Sequence, residues 1–276
     1  MASFGQTVRA LLAGAALVGF SGAALADGYG GSVKDAPAEE GRKLNLSVTV
    51  GGTSDYIFRG ISQTSEDPAA QGSIDLTYGI FYAGVWASNV DFDDAPPANA
   101  EVDFYAGIKP TLGPGPLWGP ITFDFGVIYY AYPGADDDAA ELDYVELKAG
   151  YSMESPWIKG LTTGTTFYYS PEYGGETGEV YTLESAASYA LPQIGIFTPS
   201  ITGAYGTVYG DNDEGFFADG TDDKYSYWNA GLALAVEKFT FDFRYWDTDI
   251  SQAGGVCVSE GLCDERFVFT AKVTLP

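Results

Sequence analysis

Apolar and polar residues alternate with a period of two along most of this chain, and no other feature of the sequence limits the possible fold as strongly. Between 239 and 245, three phenylalanines and a tyrosine alternate with Thr240, Asp242 and Arg244. The same alternation occurs at 44–50, 101–109, 121–129 and 267–275. The pattern is typical of β-strands with one apolar and one polar face. Acidic residues, glycines or turn residues interrupt every apolar stretch after residue 26, which excludes a helical membrane protein.

Twelve strands are predicted. They lie at 43–59, 68–78, 81–91, 101–109, 120–131, 142–151, 161–170, 179–190, 197–209, 225–236, 239–247 and 266–276. Most have about the 9–11 residues that a tilted strand needs to cross a bilayer.

The connections between these strands fall into two classes that alternate along the chain. One class is acidic, as at 91–94, 136–138 and 211–223, and the other consists of short turns with almost no net charge, such as 79–80. An up-and-down meander whose two ends face different environments has this arrangement. The sequence therefore predicts an all-β fold, a transmembrane antiparallel up-and-down β-barrel of about 12 strands.

A secreted soluble barrel or sandwich would also show alternation, with its apolar face in the core. Twelve strands are too many for a small filled barrel, however, and the polar face is rich in glycine, threonine and charged residues, as expected of a lumen. We therefore favour the membrane barrel.

The N-terminus has the features of a cleaved signal peptide, residues 1–26. Arg9 precedes a run of small apolar residues, and Ala24-Leu25-Ala26 fits a cleavage site. Residues 27–42 are expected to form a flexible acidic lead, and 43–276 the barrel. Export of a barrel predicts the outer membrane of a Gram-negative bacterium, with lipid and lipopolysaccharide as partners.

Charge and composition exclude several functions. The chain has 13 Lys+Arg against 38 Asp+Glu, a formal net charge of −25 and no histidine. Such a charge repels nucleic acid. The lack of histidine excludes Ser-His-Asp catalysis and His-ligated zinc. An acidic pair such as Asp103 and Asp124 could in principle perform acid/base chemistry, but no enzyme activity and no cofactor are expected.

The polar phase of the strands predicts which residues line a pore. The candidates are Asp55, Arg59, Asp75, Asp103, Asp124, Glu146, Lys148, Glu184, Asp242, Arg244 and Arg266. One interpretation is that most of them pair across neighbouring strands, because a narrow lumen disfavours unpaired charge. The other is that a subset forms a constriction that selects solutes by charge.

The surplus of acidic residues lies in the long loops and predicts an acidic mouth. Its members are Asp136, Asp137, Asp138, Asp211, Asp213, Glu214, Asp222 and Asp223. A mouth of this sign concentrates cations and repels anions over about 8 Å, the Debye length at physiological salt. The alternatives are that these acids only solvate the loops, or bind divalent ions that bridge lipopolysaccharide.

The two cysteines, Cys257 and Cys263, lie between the last two predicted strands, and in an exported protein this spacing predicts a disulfide. Asp211-Asn212-Asp213-Glu214-Gly215 is similar to the start of a calcium loop, but the remainder of that pattern is missing, so no metal site is predicted.

One part of the chain resembles a known family. Residues 54–64 (Ser-Asp-Tyr-Ile-Phe-Arg-Gly-Ile-Ser-Gln-Thr), 68–72 and 81–92 resemble the TorF-type porins. The likeness lies in the opening third, and the rest is similar in length and strand rhythm. The resemblance implies a bacterial outer-membrane protein of porin type, from a family largely without an established substrate.

These observations together predict a porin for passive diffusion of small hydrophilic solutes, with a preference for cations or neutral solutes. The alternative is a closed outer-membrane barrel acting as a structural protein, adhesin or receptor. The sequence leaves the oligomeric state open.

Overall fold

The computed structural model describes residues 43–92, 98–115, 117–135, 141–210, 223–250, 257 and 261–276. The predicted signal peptide and acidic lead lie outside these residues. The strands are β1 (Leu44–Thr53), β2 (Ile57–Phe58), β3 (Ile61–Ser62), β4 (Ala69–Tyr78), β5 (Phe81–Asn89), β6 (Ala100–Ile108), β7 (Thr111–Leu112), β8 (Ile121–Ala131), β9 (Tyr144–Glu154), β10 (Leu161–Ser170), β11 (Val180–Ala190), β12 (Thr198–Gly210), β13 (Lys224–Val236), β14 (Phe239–Thr248) and β15 (Arg266–Leu275). Within the described ranges, no helix is long and apolar enough to cross a membrane.

All of these strands except β2, β3 and β7 form one closed antiparallel barrel, which has twelve strands. Neighbours along the chain pair with each other, and β6 pairs with β8 because the short β7 only extends the sheet beside β8. β15 closes the barrel on β1, with Val50 opposite Val273. The predicted fold class and strand number are confirmed.

The barrel has two unlike ends. β1 begins and β15 ends at the same end, which also carries the tight turns at 79–80 and 237–238. We call it the short-turn end. The other end, the long-loop end, carries the connections at 54–68, 132–143 and 171–179. The two ends of the barrel therefore differ in the length of their connections.

Large apolar side chains cover the outside of the barrel. Leu46, Phe243 and Phe267 are 55%, 51% and 82% exposed, whereas Thr49, Asp242 and Arg244, which are in the opposite phase of the alternation on β1 and β14, point inward and are buried. A continuous apolar belt of this kind is unfavourable in water and is covered without cost by bilayer hydrocarbon. The alternation read from the sequence is thus apolar-out and polar-in.

The predicted strand at 43–59 is wrong beyond Thr53. The chain leaves the barrel wall there, and β2 and β3 form a separate two-stranded hairpin. Arg59 and Gly60 at its tip have φ angles of 48° and 86°. Two consecutive positive φ angles reverse the chain tightly, as in the type I′ turn. Residues 56–58 are apolar enough for either arrangement, so alternation alone could not separate wall from hairpin.

Candidate functional site

The interior of the barrel is filled near the long-loop end by residues 54–68, which we call the plug. Tyr56, Ile57, Phe58 and Arg59 at its centre are all buried. Tyr56 and Phe58 pack in an apolar cluster with Trp86 and Tyr130. Ile57 packs in a second cluster formed by strands β11 to β15. The plug therefore contacts opposite parts of the wall and crosses the lumen.

The plug leaves little space beside it. A cavity of about 30 Å³ lies between the plug and β1, β14 and β15, lined in part by Asp55, Tyr56 and Arg244. A cavity of this size admits one or two water molecules, and a solute needs far more room. Between the plug and these three strands, the described residues therefore leave room for water and not for a solute.

An ion pair holds the tip of the plug against β9. The two Arg59 Nη atoms donate to Glu146 Oε1 and Oε2, each at 2.8 Å. Both side chains are 1% exposed. Tyr130 donates to Glu146 Oε2 at 3.1 Å, and the Arg59 guanidinium lies 5.1 Å from the ring centre of Tyr168. The guanidinium is thus enclosed by a carboxylate and aromatic rings from three strands of the wall.

Arg59 occupies a backbone conformation that does not favour arginine. Its φ of 48° is in the left-handed region, which costs an L-residue with a Cβ roughly 1–2 kcal/mol. Asn, Asp and Gly are the usual residues of such a turn. The contacts of the guanidinium offset this strain, which directs attention to Arg59 as a functional residue.

Tyr173, in the loop 171–179 beyond β10, completes the enclosure. Burial raises the pKa of its hydroxyl to about 12, although the positive charge of Arg59 acts in the opposite direction. Tyr173 is therefore neutral at physiological pH, and the charge of Arg59 is balanced by Glu146.

The base of the plug is fixed by Asp55. Its Oδ1 accepts from Ser62 at 2.7 Å and Thr64 at 3.1 Å, and its Oδ2 accepts from Arg266 Nη1 at 2.8 Å. Tyr56 donates to Glu101 Oε1 at 3.0 Å. These polar contacts join both sides of the hairpin to β6 and β15.

The predicted disulfide between Cys257 and Cys263 is confirmed. It lies above the plug at the long-loop end, where Leu262 accepts a hydrogen bond at 2.9 Å from the backbone N–H of Ser62. The Thr248 hydroxyl donates to the Cys263 carbonyl at 3.0 Å. The disulfide-bonded segment therefore contacts the plug directly.

Some interior charges toward the short-turn end are partly exposed to water, and we call the space around Asp124 the vestibule. Asp124 on β8 and Lys109 have side chains 21% and 24% exposed. Asp124 Oδ2 lies 3.0 Å from Lys148 Nζ and 3.6 Å from Lys109 Nζ, and Oδ1 accepts from the Tyr82 hydroxyl at 2.7 Å. Ordered charges of both signs line this vestibule.

Tyrosines and carboxylates pair repeatedly inside the barrel. Tyrosine hydroxyls donate to interior carboxylates in the pairs Tyr56–Glu101, Tyr82–Asp124, Tyr105–Asp75, Tyr130–Glu146 and Tyr227–Glu184. In two of these pairs, the tyrosine and the carboxylate are on strands separated by one other strand, which carries a glycine between them. Gly84 lies between Tyr105 and Asp75. Gly206 lies between Tyr227 and Glu184. The ring lies flat over the glycine, where a Cβ would meet it.

The structure places all eleven predicted pore-lining residues in the interior. Nine are on inward-facing positions of the wall, namely Asp75, Asp103, Asp124, Glu146, Lys148, Glu184, Asp242, Arg244 and Arg266. Asp55 and Arg59 belong to the plug instead of the wall, which corrects their predicted position on the first strand. Asp103 is buried beside Glu101, and Arg244 pairs with Asp242 at 2.9 Å.

The predicted acidic mouth is mostly outside the described residues. This holds for Asp136, Asp137, Asp138, Asp211, Asp213, Glu214 and Asp222. Asp223 is described and exposed just before β13. The calcium-like segment at 211–215 also lies outside, and the described part of the chain contains no group of three or more side chains arranged to hold a metal.

The predicted pore-lining residues do not include the aromatic residues around Arg59. Tyr130 and Tyr168 are both buried inside the barrel. The signal was available in the alternation, since Tyr130 shares the phase of Asp124, and Tyr168 that of Thr162 and Thr166.

The closed strand order, the apolar exterior and the charged interior define the class of this protein: it has the fold of outer-membrane β-barrels. The chain belongs to the Gcw_chp family, described as bacterial proteins of unknown function, whose model matches residues 37–275.

Among solved structures, the chain is similar to the NanC porin, with a TM-score of 0.50 and 11% identity over 84% of this chain and 100% of that one. It is also similar to the outer-membrane channel DcaP of Acinetobacter baumannii, with a TM-score of 0.43 and 11% identity over 86% of this chain and 98% of that one. At these identities the likeness concerns the fold alone. No curated protein matches the sequence.

Proposed function

We propose that the protein is an outer-membrane channel for small hydrophilic solutes, closed in this conformation by the plug. The observation that carries the proposal is that the plug is not part of the wall. Thr53 and Ala69, on either side of it, are directly paired neighbours in the barrel, so the barrel is complete without residues 54–68. Withdrawal of the plug would leave a continuous charged lumen.

The contacts of the plug suit a reversible closure. Its polar anchors are the ion pairs of Arg59 with Glu146 and of Arg266 with Asp55, together with the Tyr56–Glu101 hydrogen bond. Water can replace these polar contacts when the segment moves, whereas the burial of Ile57 and Phe58 in apolar clusters favours the closed state.

A preference for cations or neutral solutes is part of the proposal. The described loops at the long-loop end carry exposed acids, namely Glu172, Glu176, Glu179 and Asp223. Together with the predicted mouth residues they give that end a negative potential, which raises the local cation concentration.

The location completes the proposal: the barrel is exported by the signal peptide at 1–26 and lies in the outer membrane of a Gram-negative bacterium, in contact with lipid and lipopolysaccharide. Membership of the TorF-type porins remains a prediction from the resemblance of residues 54–92. We propose no enzymatic activity, because the chain has no histidine and Asp124, one of the two acids considered for acid/base chemistry, is engaged by Tyr82, Lys109 and Lys148.

A sealed barrel acting as a structural protein, adhesin or receptor is the second candidate, and the complete burial of the plug favours it. Single-channel recording of the refolded mature chain under a KCl gradient separates the two. Discrete openings with a cation-directed reversal potential support the channel. Silence from protein that is demonstrably folded and inserted contradicts the channel and supports the sealed barrel.

A further inference from the structure

We propose that the pocket around the Arg59 guanidinium is a binding site for a small guanidinium or ammonium solute, and that Arg59 is a tethered substitute for this ligand. The solute class rests on the proposed channel function, whereas the binding site itself does not.

The pocket has the chemistry of a cation site. Glu146 presents both carboxylate oxygens to one planar cation at 2.8 Å, the bidentate geometry that guanidinium groups recognise. The face of Tyr168 lies 5.1 Å from the guanidinium carbon. Aromatic rings around a buried carboxylate are the usual means of recognising organic cations.

The residues that build the pocket belong to the wall and to the loop 171–179, and they hold one another. The Tyr130 hydroxyl donates a hydrogen bond to Glu146 Oε2 at 3.1 Å, and the Tyr130 ring stacks on the Tyr144 ring with 4.3 Å between the ring centres. Tyr144 in turn packs against Tyr173 at 4.6 Å. These three contacts do not involve the plug and can persist when Arg59 leaves, although the Phe58 ring of the plug also packs against Tyr130.

Two buried polar atoms indicate that Arg59 does not use the pocket fully. Among the described residues, neither Arg59 Nε nor the Thr182 hydroxyl has a hydrogen-bond partner. Thr182 lies on β11 directly opposite Tyr168. A free ligand can orient its donors without the constraint of the turn, whereas the Arg59 side chain starts from a fixed left-handed backbone.

The proposed consequence is competition. A tethered group acts at a high effective concentration, so a free cation must displace Arg59 before it binds. Displacement frees the tip of the plug, and the solute that binds is the one that opens its own path. This predicts passage of guanidinium and primary ammonium compounds in preference to anions of equal size.

The variant that tests the site is Arg59→Asn. Asn-Gly is the dipeptide that best suits this turn, so the substitution removes the guanidinium without disturbing the hairpin. Calorimetric titration of the refolded full chain in detergent uses methylguanidinium as probe and N-methylurea as its uncharged counterpart. We expect Arg59→Asn to bind methylguanidinium saturably with 1:1 stoichiometry. The affinity should be at least tenfold higher than that of the wild type for methylguanidinium, and at least tenfold higher than that of the variant for N-methylurea.

The double variant Arg59→Asn, Glu146→Gln is the matched control and should lose the binding. Absence of saturable binding to folded Arg59→Asn, or equal binding to the double variant, overturns the proposal. If Arg59→Asn does not refold alone, the proposal requires methylguanidinium to restore refolding, and failure of that rescue also overturns it. Planar-bilayer currents are recorded separately, so that binding without current refutes the channel and leaves the site intact.

Discussion

Replacement of Glu146 by alanine should open the barrel. In the closed state the Arg59 guanidinium is buried, and Glu146 is the carboxylate that pairs with it in two hydrogen bonds of 2.8 Å. Glu146→Ala leaves a buried positive charge without this partner. Removing one member of a buried ion pair typically costs about 3–5 kcal/mol.

The cost falls on the closed state alone. When the plug withdraws, Arg59 returns to water and no longer needs a counter-ion. A loss of about 3–5 kcal/mol corresponds to a shift of roughly 10²–10⁴-fold in the equilibrium between plugged and unplugged barrels, at about 1.4 kcal/mol per tenfold. A barrel that opens rarely as the wild type should be open for much of the time as Glu146→Ala.

The assay is the open probability of single channels in a planar bilayer, measured side by side with the heat stability of the folded barrel. Glu154→Ala is the matched control, because Glu154 is on the same strand and in the same phase but is exposed near the short-turn end, and it should leave the open probability unchanged. The combination with Arg59→Asn should open the barrel less than the sum of the single changes, since neither charge is then buried alone. If folded Glu146→Ala has the same open probability as the wild type, the Arg59–Glu146 ion pair does not hold the barrel closed.

Three other perturbations have defined outcomes. Gly84→Ala places a Cβ 2.5 Å from the Tyr105 ring and should destabilise the barrel by about 1–3 kcal/mol, which is measured as a lower thermal transition temperature. Gly52→Ala is the control, because the nearest neighbour of its Cβ would lie at 3.5 Å. Equal transition temperatures for the two variants would contradict the packing of Tyr105 over Gly84. Asp124→Asn removes the negative charge between two lysines in the vestibule and should move the reversal potential toward anions, so an unchanged potential would exclude the vestibule as a selectivity element. Reduction of the disulfide should loosen the segment that contacts Ser62 and increase the frequency of openings; identical records before and after complete reduction would show that this segment does not restrain the plug.

Much of the barrel could be predicted from the sequence because a bilayer-spanning strand has a strict pattern. Each wall residue faces either lipid or lumen, so alternation reports its direction almost residue by residue. This is why the wall carboxylates such as Asp124, Glu184 and Asp242 could be placed in the interior before the structure was known.

The plug could not be predicted in the same way. Residues 54–62 combine apolar residues with a buried arginine, and an inward hairpin satisfies that composition as well as a wall strand does. The distinguishing signal is the turn at Arg59-Gly60, which is weak because arginine is unusual at a positive φ. Arg59 and Glu146 are also 87 residues apart in sequence, so their pairing depends on the closed barrel bringing β9 beside the plug.

The conductance of a barrel without its plug tests whether residues 54–68 close the channel. Because Thr53 and Ala69 are paired neighbours, residues 54–68 can be replaced by Asn-Gly, which joins β1 and β4 as an ordinary two-residue hairpin. We expect this variant, refolded and inserted, to conduct continuously in long-lived discrete steps where the wild type is closed for most of the record. A folded, inserted variant that passes no current would show that the wall itself seals the lumen and would contradict the assignment of residues 54–68 as the closure.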